Sequence, residues 1–211
     1  MLEIISHRGY WKSMEEKNTK VAFERSFELG FGTETDIRDY KGELVISHDI
    51  ADSSCMKLDL FLELYVKYNN PNLTLALNIK ADGLHTTLFN QLKAFEIENY
   101  FVFDMSIPDT IGYLNNSIPF FSRQSEYEKN PIFYENCSGI WLDGFEGNWF
   151  NKEIVLDHIN NHKKVAIVSS ELHKRDAEEL WSFIMSNELH TKENIILCTD
   201  LPEKAKQYFN L

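Results

Sequence analysis

Short apolar runs alternate with longer amphipathic stretches along the chain, and this rhythm predicts its elements. Residues 2–5 read as a first strand. Residues 19–29 carry apolar positions at helical spacing and stop at Gly30, a good helix end. Residues 33–37 form a second strand, followed by a turn at Lys41-Gly42 and an extended piece over 44–47. Helices are then expected at 58–68, 84–95, 107–114, 152–162, 177–187 and 202–209, with a weak one at 132–136. The strands between them fall at 73–79, 101–105, 119–122, 139–142, 165–169 and 195–199.

That is eight strand–helix units. Strict β–α alternation implies a parallel sheet with helical crossovers, and eight repeats favour a closed (β/α)₈ TIM barrel over an open doubly wound sheet. No linker or low-complexity tract interrupts residues 1–211, so a single domain is expected. Neither a Gly-rich dinucleotide motif nor a P-loop follows the first strand.

Composition narrows the function. With 211 residues, 43% hydrophobic and 26% charged, the chain can bury a core and is not disordered. A formal charge of −12, with Lys163-Lys164 and Lys174-Arg175 as the longest basic clusters, argues against a nucleic-acid partner. Acidity does not exclude a phosphate substrate, because a bound cation and a few Lys/Arg can reverse the field inside a cleft. Cys55, Cys137 and Cys198 have neither disulfide nor zinc spacing and are expected to be reduced. The first residues lack the basic region of a signal peptide, and no apolar run approaches the ~18 residues of a membrane span. A cytoplasmic protein without stable membrane insertion is the expectation.

In a TIM barrel the chemistry sits at the C-terminal ends of the strands. There the first strand ends in Ser6-His7-Arg8-Gly9, the second carries Glu34 and Asp36, the next extended piece ends in His48-Asp49, and the following strand carries Asn78 and Lys80. Glu34 and Asp36 are two apart, so both point to one face. Two inward carboxylates repel each other and are costly to bury, and a divalent cation between them removes that cost. Oxygen ligands suit Mg²⁺ or Ca²⁺. Asn78 can complete the ligand set, and Lys80 can meet a phosphate oxygen. His7 and His48 come from separate elements and can converge on one substrate; histidine as a residue type can accept or donate a proton, so one ring can take a proton while the other gives one, as a phosphodiester reaction requires.

Taken in order, His7-Arg8-Gly9, Asn18-Thr19 with Ala22-Phe23, Gly30, Glu34-Thr35-Asp36, Gly42, Val45 and His48-Asp49 resemble the signature of glycerophosphodiester phosphodiesterases. The match is dense over about the first 50 residues, thins to Asn78-Ile79-Lys80, and returns weakly at Thr199-Asp200-Leu201-Pro202. The resemblance implies a TIM barrel, one divalent cation, and hydrolysis of a small-molecule or lipid-derived phosphodiester. It implies that His7 and His48 are acid and base, that Glu34 and Asp36 hold the metal, and that Arg8 and Lys80 serve the phosphate. It also implies attack by the substrate's neighbouring hydroxyl, through a cyclic phosphate. The alternatives are a phospholipase D or lyase-type activity that stops at that cyclic phosphate, and a phosphate-binding pseudoenzyme.

Three departures from the family pattern change the picture. Asn78 stands where the family usually has an acidic metal ligand. Only nine residues separate His48 from the helix at Leu58, so the chain lacks most of the family's cap insertion. An open site and a different or larger alcohol group are then expected. The seventh strand ends in Ser169-Ser170-Glu171-Leu172-His173 instead of an aromatic-rich run, which makes Glu171 a candidate substrate-site residue. Weaker candidates are Asp143, Arg123 and Glu126 at strand ends, and an aromatic wall of Trp141, Phe145, Trp149 and Phe150. His158 and His162, four apart on a helix, are expected on a solvated face.

Overall fold

A computed structural model describes all residues, Met1 to Leu211. β1 spans Glu3–His7, and the chain divides into two compact units, His7–Phe120 and Met1–Ser6 with Phe121–Leu211.

The His7–Phe120 unit holds α1 (Lys20–Glu28), β2 (Gly32–Tyr40), β3 (Glu43–Ile46), β4 (Met56–Lys57), α2 (Leu58–Lys67), β5 (Leu75–Ile79), α3 (His85–Ala94), β6 (Tyr100–Phe103) and α4 (Ile107–Asn115). β5 lies between β2 and β6, parallel to both. From Gly32 to Ile37 every residue of β2 is buried, as expected for a parallel strand covered on both faces. Beyond Ile37 the strand continues as a hairpin. Lys41 and Gly42 both have positive φ, +52° and +85°, which gives the two-residue turn whose twist matches antiparallel strands. β3 and then β4 follow in antiparallel order. The short strand β4 and the β2 extension were not legible in the apolar pattern, because their outer positions are polar. α1 packs on α2 through Phe23 against Phe61, with ring centres 4.6 Å apart, and Phe27 against Tyr65 at 5.6 Å. Ser106 caps α4 by accepting from the Asp109 amide, with Pro108 in the first turn.

The other unit contains β7 (Phe121–Gln124), β8 (Gly139–Leu142), α5 (Lys152–Asn160), β9 (Lys164–Val168), α6 (Ala177–Ser186), β10 (Ile195–Thr199) and α7 (Pro202–Phe209). Its strands run in the order β1-β10-β9-β8-β7, all parallel. The helix expected at 132–136 does not form. Phe133 takes φ +48°, and the Cys137 amide closes a single turn onto its carbonyl, so turns alone connect β7 to β8. Tyr134 in that connection hydrogen-bonds His158 Nδ1 at 2.9 Å, and His158 Nε2 meets Gln124 Oε1 at 2.8 Å. His158 is therefore buried, not solvated as its polar neighbours implied, and burial lowers its pKa. His162 lies on the exposed side. No helix of the protein is long and apolar enough to cross a membrane.

Candidate active site

The site is organised around two buried carboxylates on β2. Asp36 stands in register with Asn78 of β5, and Glu34 with the small Ala76. Asp36 gathers two cations and one hydrogen-bond donor: Arg8 Nε lies 3.0 Å from Oδ2, Lys80 Nζ lies 3.4 Å from Oδ1, and the Asn18 side-chain amide donates to Oδ2 at 2.8 Å. Glu34 accepts from the Arg8 backbone N–H at 3.2 Å, and His7 Nε2 is 3.9 Å from its Oε2. Burial raises the Glu34 carboxyl to a pKa of about 7; Asp36 adds to the rise, and His7, Arg8 and Lys80 oppose it.

The loop carrying His7 and Arg8 is fastened along β2. Gly9 N–H donates to Thr33 Oγ1 at 3.0 Å, the Asn18 amide N–H returns to the Arg8 carbonyl, and Thr35 Oγ1 donates to Asn18 Oδ1 at 2.8 Å. Arg25 holds the far side of the loop by donating to the Tyr10 carbonyl and to Glu16. Asn18 thus belongs to the site. It was visible in the sequence only as part of a resemblance, since nothing in an isolated Asn-Thr pair marks a carboxylate partner. Gly9 has φ +77°, and a Cβ there would stand 2.7 Å from Ala22 Cβ and 2.8 Å from the Ala22 carbonyl carbon. Gly9→Ala should therefore destabilise the protein by at least about 2 kcal/mol and displace Arg8 from Asp36. Urea denaturation checks the first effect, and an unshifted midpoint would show that the loop tolerates the methyl group.

His48 follows β3 and is 45% exposed; its Nδ1 is 2.8 Å from Asp49 Oδ1. This bond lowers the Asp49 pKa, with Arg8 and Arg38 adding smaller contributions. His48, Asp49, Arg8 and Asn18 line one cavity of about 800 Å³. The structure therefore brings Arg8, Glu34, Asp36, Asn78 and Lys80 together with His7, and sets His48 at a cavity that also reaches Arg8. Between His48 and α2 only β4 is regular, so no cap domain is present.

The remaining candidates belong to the other unit. Glu171 accepts from the hydroxyls of Ser169 and Thr199 and from the Asp200 amide. Its carboxylate ties the ends of β9 and β10. Asp143 is buried and 2.7 Å from His173 Nε2, and His173 packs on Phe145. Arg123 pairs with Glu128 and lies over the Phe145 ring, while Glu126 accepts from the Phe145 and Glu146 amides. Trp141 and Phe150 are buried core residues; Phe145 and Trp149 are partly exposed.

The β2–β5 residues fit a divalent cation. The donors are all hard oxygens; Asn78 Oδ1 is buried without a hydrogen-bond partner, and Asp36 Oδ1, on the paired position, faces the Lys80 ammonium 3.4 Å away. No group of three His, Cys, Asp or Glu side chains is placed to hold a metal, so the amide of Asn78 would have to serve as the third protein ligand.

Fold and site geometry together describe an α/β protein with its polar groups gathered at strand ends. More particularly, the fold is that of the glycerophosphodiester phosphodiesterases. The glycerophosphodiester phosphodiesterase of Agrobacterium tumefaciens superposes with a TM-score of 0.72 at 14% identity, over 100% of both chains. A candidate glycerophosphodiester phosphodiesterase from Galdieria sulphuraria gives 0.77 at 18% identity, over 100% of this chain and 98% of its own. A candidate glycerophosphoryl diester phosphodiesterase from Silicibacter pomeroyi gives 0.78 at 12% identity, over 100% and 93%. In sequence, no family model and no curated protein matches. The expected fold class is therefore met by structures far below the range in which sequence likeness carries function.

Proposed function

We propose that this protein is a metal-dependent phosphoric diester hydrolase that acts on glycerophosphodiester-like substrates. The observation that carries the proposal is the convergence of Arg8, Lys80 and Asn18 on Asp36, beside Glu34 and His7, in a fold shared with glycerophosphodiester phosphodiesterases.

Glu34, Asp36 and Asn78 would hold one Mg²⁺ or Ca²⁺, which when bound supplies charge neutralisation to the phosphoryl oxygens. Arg8 and Lys80 orient the phosphate. Asp49 accepts from His48 Nδ1, which leaves Nε2 of the neutral ring free to take the proton of the attacking hydroxyl. His7, beside Glu34, donates the proton that the leaving oxygen needs. Attack by the substrate's neighbouring hydroxyl gives a cyclic phosphate, which water then opens. Incubation with glycerophosphocholine and Mg²⁺ or Ca²⁺, followed by ³¹P NMR, tests this reading. Glycerol phosphate is the expected product, persistent cyclic phosphate would assign a lyase, and an unchanged substrate would refute phosphodiesterase action.

One observation favours a second reading. Asp36 already meets Arg8 and Lys80, and Asn78 lacks a charge, so the site could bind a phosphate ligand without turnover.

The Glu34 carboxyl supplies a test of the cation that does not use activity. Its folded-state pKa is raised from 4.5 to about 7, so its favourable contribution to stability is present below about pH 4.5 and is lost as pH rises through about 7. A divalent cation binds the ionised form and should restore stability most at pH 8. Thermal melts at pH 5.5 and 8, with and without Mg²⁺ or Ca²⁺, should show this difference, and Glu34→Gln should flatten it. Equal cation shifts in the two proteins would remove Glu34 from the metal site.

A further inference from the structure

On the proposed reading Asp36 has two tasks, to hold Arg8 and to offer an oxygen to a divalent cation. The geometry divides them between its two oxygens. Oδ2 meets Arg8 Nε at 3.0 Å and accepts from the Asn18 side-chain amide at 2.8 Å. Oδ1 faces Lys80 Nζ at 3.4 Å, and Asp36 is paired in register with Asn78, whose own Oδ1 is buried without a hydrogen-bond partner. A short relay fixes this division. Thr35, fully buried between Glu34 and Asp36 on β2, donates its hydroxyl hydrogen to Asn18 Oδ1 at 2.8 Å, and Asn18 Nδ2 donates onward to Asp36. The first donation strengthens the second, because an amide whose oxygen accepts a hydrogen bond is the better N–H donor. Thr35 is also a stiff anchor. It is β-branched, and its strand position is paired with Leu77 of β5. Asn18 itself sits at φ +58°, with its backbone N–H on the Arg8 carbonyl, so its side chain starts from a fixed point. Thr33 serves differently: its hydroxyl oxygen accepts from Gly9 N–H and holds the loop, not the carboxylate.

We infer that Thr35 is a positioning residue: through Asn18 it holds Asp36 turned so that Oδ2 is occupied by Asn18 and Arg8, and Oδ1 is the oxygen presented to the divalent cation. The inference rests on the metal-dependent phosphodiesterase reading, which puts the cation at Glu34, Asp36 and Asn78. The Thr35 hydroxyl is committed to Asn18 and acts only through it. Thr35→Val keeps the branched shape and the strand but removes that hydroxyl. Asn18 Oδ1 then loses its donor, the amide is free to leave Asp36, and the carboxylate is free to turn.

Calorimetric titration of the folded protein with Ca²⁺ and with Mg²⁺, without substrate, tests this. Thr35→Val should weaken cation affinity by at least about tenfold, the usual effect of removing a group that orients a metal ligand. Thr35→Ser, which keeps the hydroxyl, should bind like the wild type. Asn18→Gly, which tolerates the positive φ, should weaken binding by the same factor as Thr35→Val. The double variant should be no weaker than either single one, because the two residues act in series. The cation concentration that gives half-maximal hydrolysis should shift by the same factor. A residue that served only the fold would lower the melting temperature and leave the affinity of the folded protein intact. Wild-type affinity in Thr35→Val, a Thr35→Ser as weak as Thr35→Val, or losses that multiply in the double variant would overturn the inference and leave the phosphodiesterase reading standing. If Thr35→Val does not fold, Asn18→Gly and Thr35→Ser decide: weak binding in the first with wild-type binding in the second sustains the inference, and any other pairing overturns it. A wild type that binds neither ion would refute the metal reading itself, and the inference with it.

Discussion

Replacing either His7 or His48 by alanine is expected to lower kcat by a factor on the order of 10²–10⁴, the usual worth of a general acid or base, while the protein stays folded. The two rings differ in setting, and this separates their signatures. His7 is 15% exposed and sits beside the Glu34 carboxylate, so His7→Ala also removes a group that opposes the rise in the Glu34 pKa. The Glu34 carboxyl should then titrate still higher in His7→Ala, and the pH dependence of thermal stability should extend further above neutrality. His48 is 45% exposed and leans on Asp49 alone, so His48→Ala should change turnover with little effect on the melting curve. His48→Gln, which keeps a polar side chain but cannot shuttle a proton, should be as slow as His48→Ala. Steady-state kinetics of the three variants across pH 5–9 check these expectations. Wild-type turnover in either alanine variant would remove that histidine from the reaction.

How far the sequence revealed this site depends on what each residue leaves in the local pattern. Glu34 and Asp36 stand two apart on one strand, alternating with Thr33 and Thr35, and two carboxylates at a period of two are a signal visible without neighbours. Asn78 and Lys80 repeat it on the strand that pairs in register. The turn at Lys41-Gly42 was legible because glycine marks a positive φ. Asn18 left no such mark, since its role comes from a loop that returns to β2 through Thr35 and Asp36. His158 misled for the opposite reason: the polar residues around it implied solvent, yet Tyr134, 24 positions away, covers it. The absent helix after β7 is a third case. Residues 132–136 follow Asn130-Pro131 and span too few positions before β8 to propagate a helix. Glu171 was legible as a strand-end carboxylate, but its partners, Thr199 and Asp200, lie on the next strand's end and left no local mark.

Removing the Asp36 carboxylate should have the largest combined effect on stability and activity. Asp36 is fully buried and is the shared partner of Arg8, Lys80 and Asn18. Breaking a buried pair by deleting one member leaves the other charge uncompensated, at roughly 3–5 kcal/mol in fully buried cases. Arg8 and Lys80 each keep 20% side-chain exposure, and the loss of Asp36 also relieves the repulsion on Glu34, so about 2–4 kcal/mol is expected for Asp36→Ala. The fall in kcat/KM should be at least about 10²–10³, because on the proposed reading Arg8 and Lys80 would lose their anchor beside the phosphate and the cation would lose a ligand. Asp36→Asn separates the two losses. It retains an oxygen for the Asn18 amide and fills the same volume, so it should recover part of the stability in urea denaturation and almost none of the activity. If Asp36→Asn recovered both, the charge at this position would be serving the fold alone, and the metal would have to be sought without it.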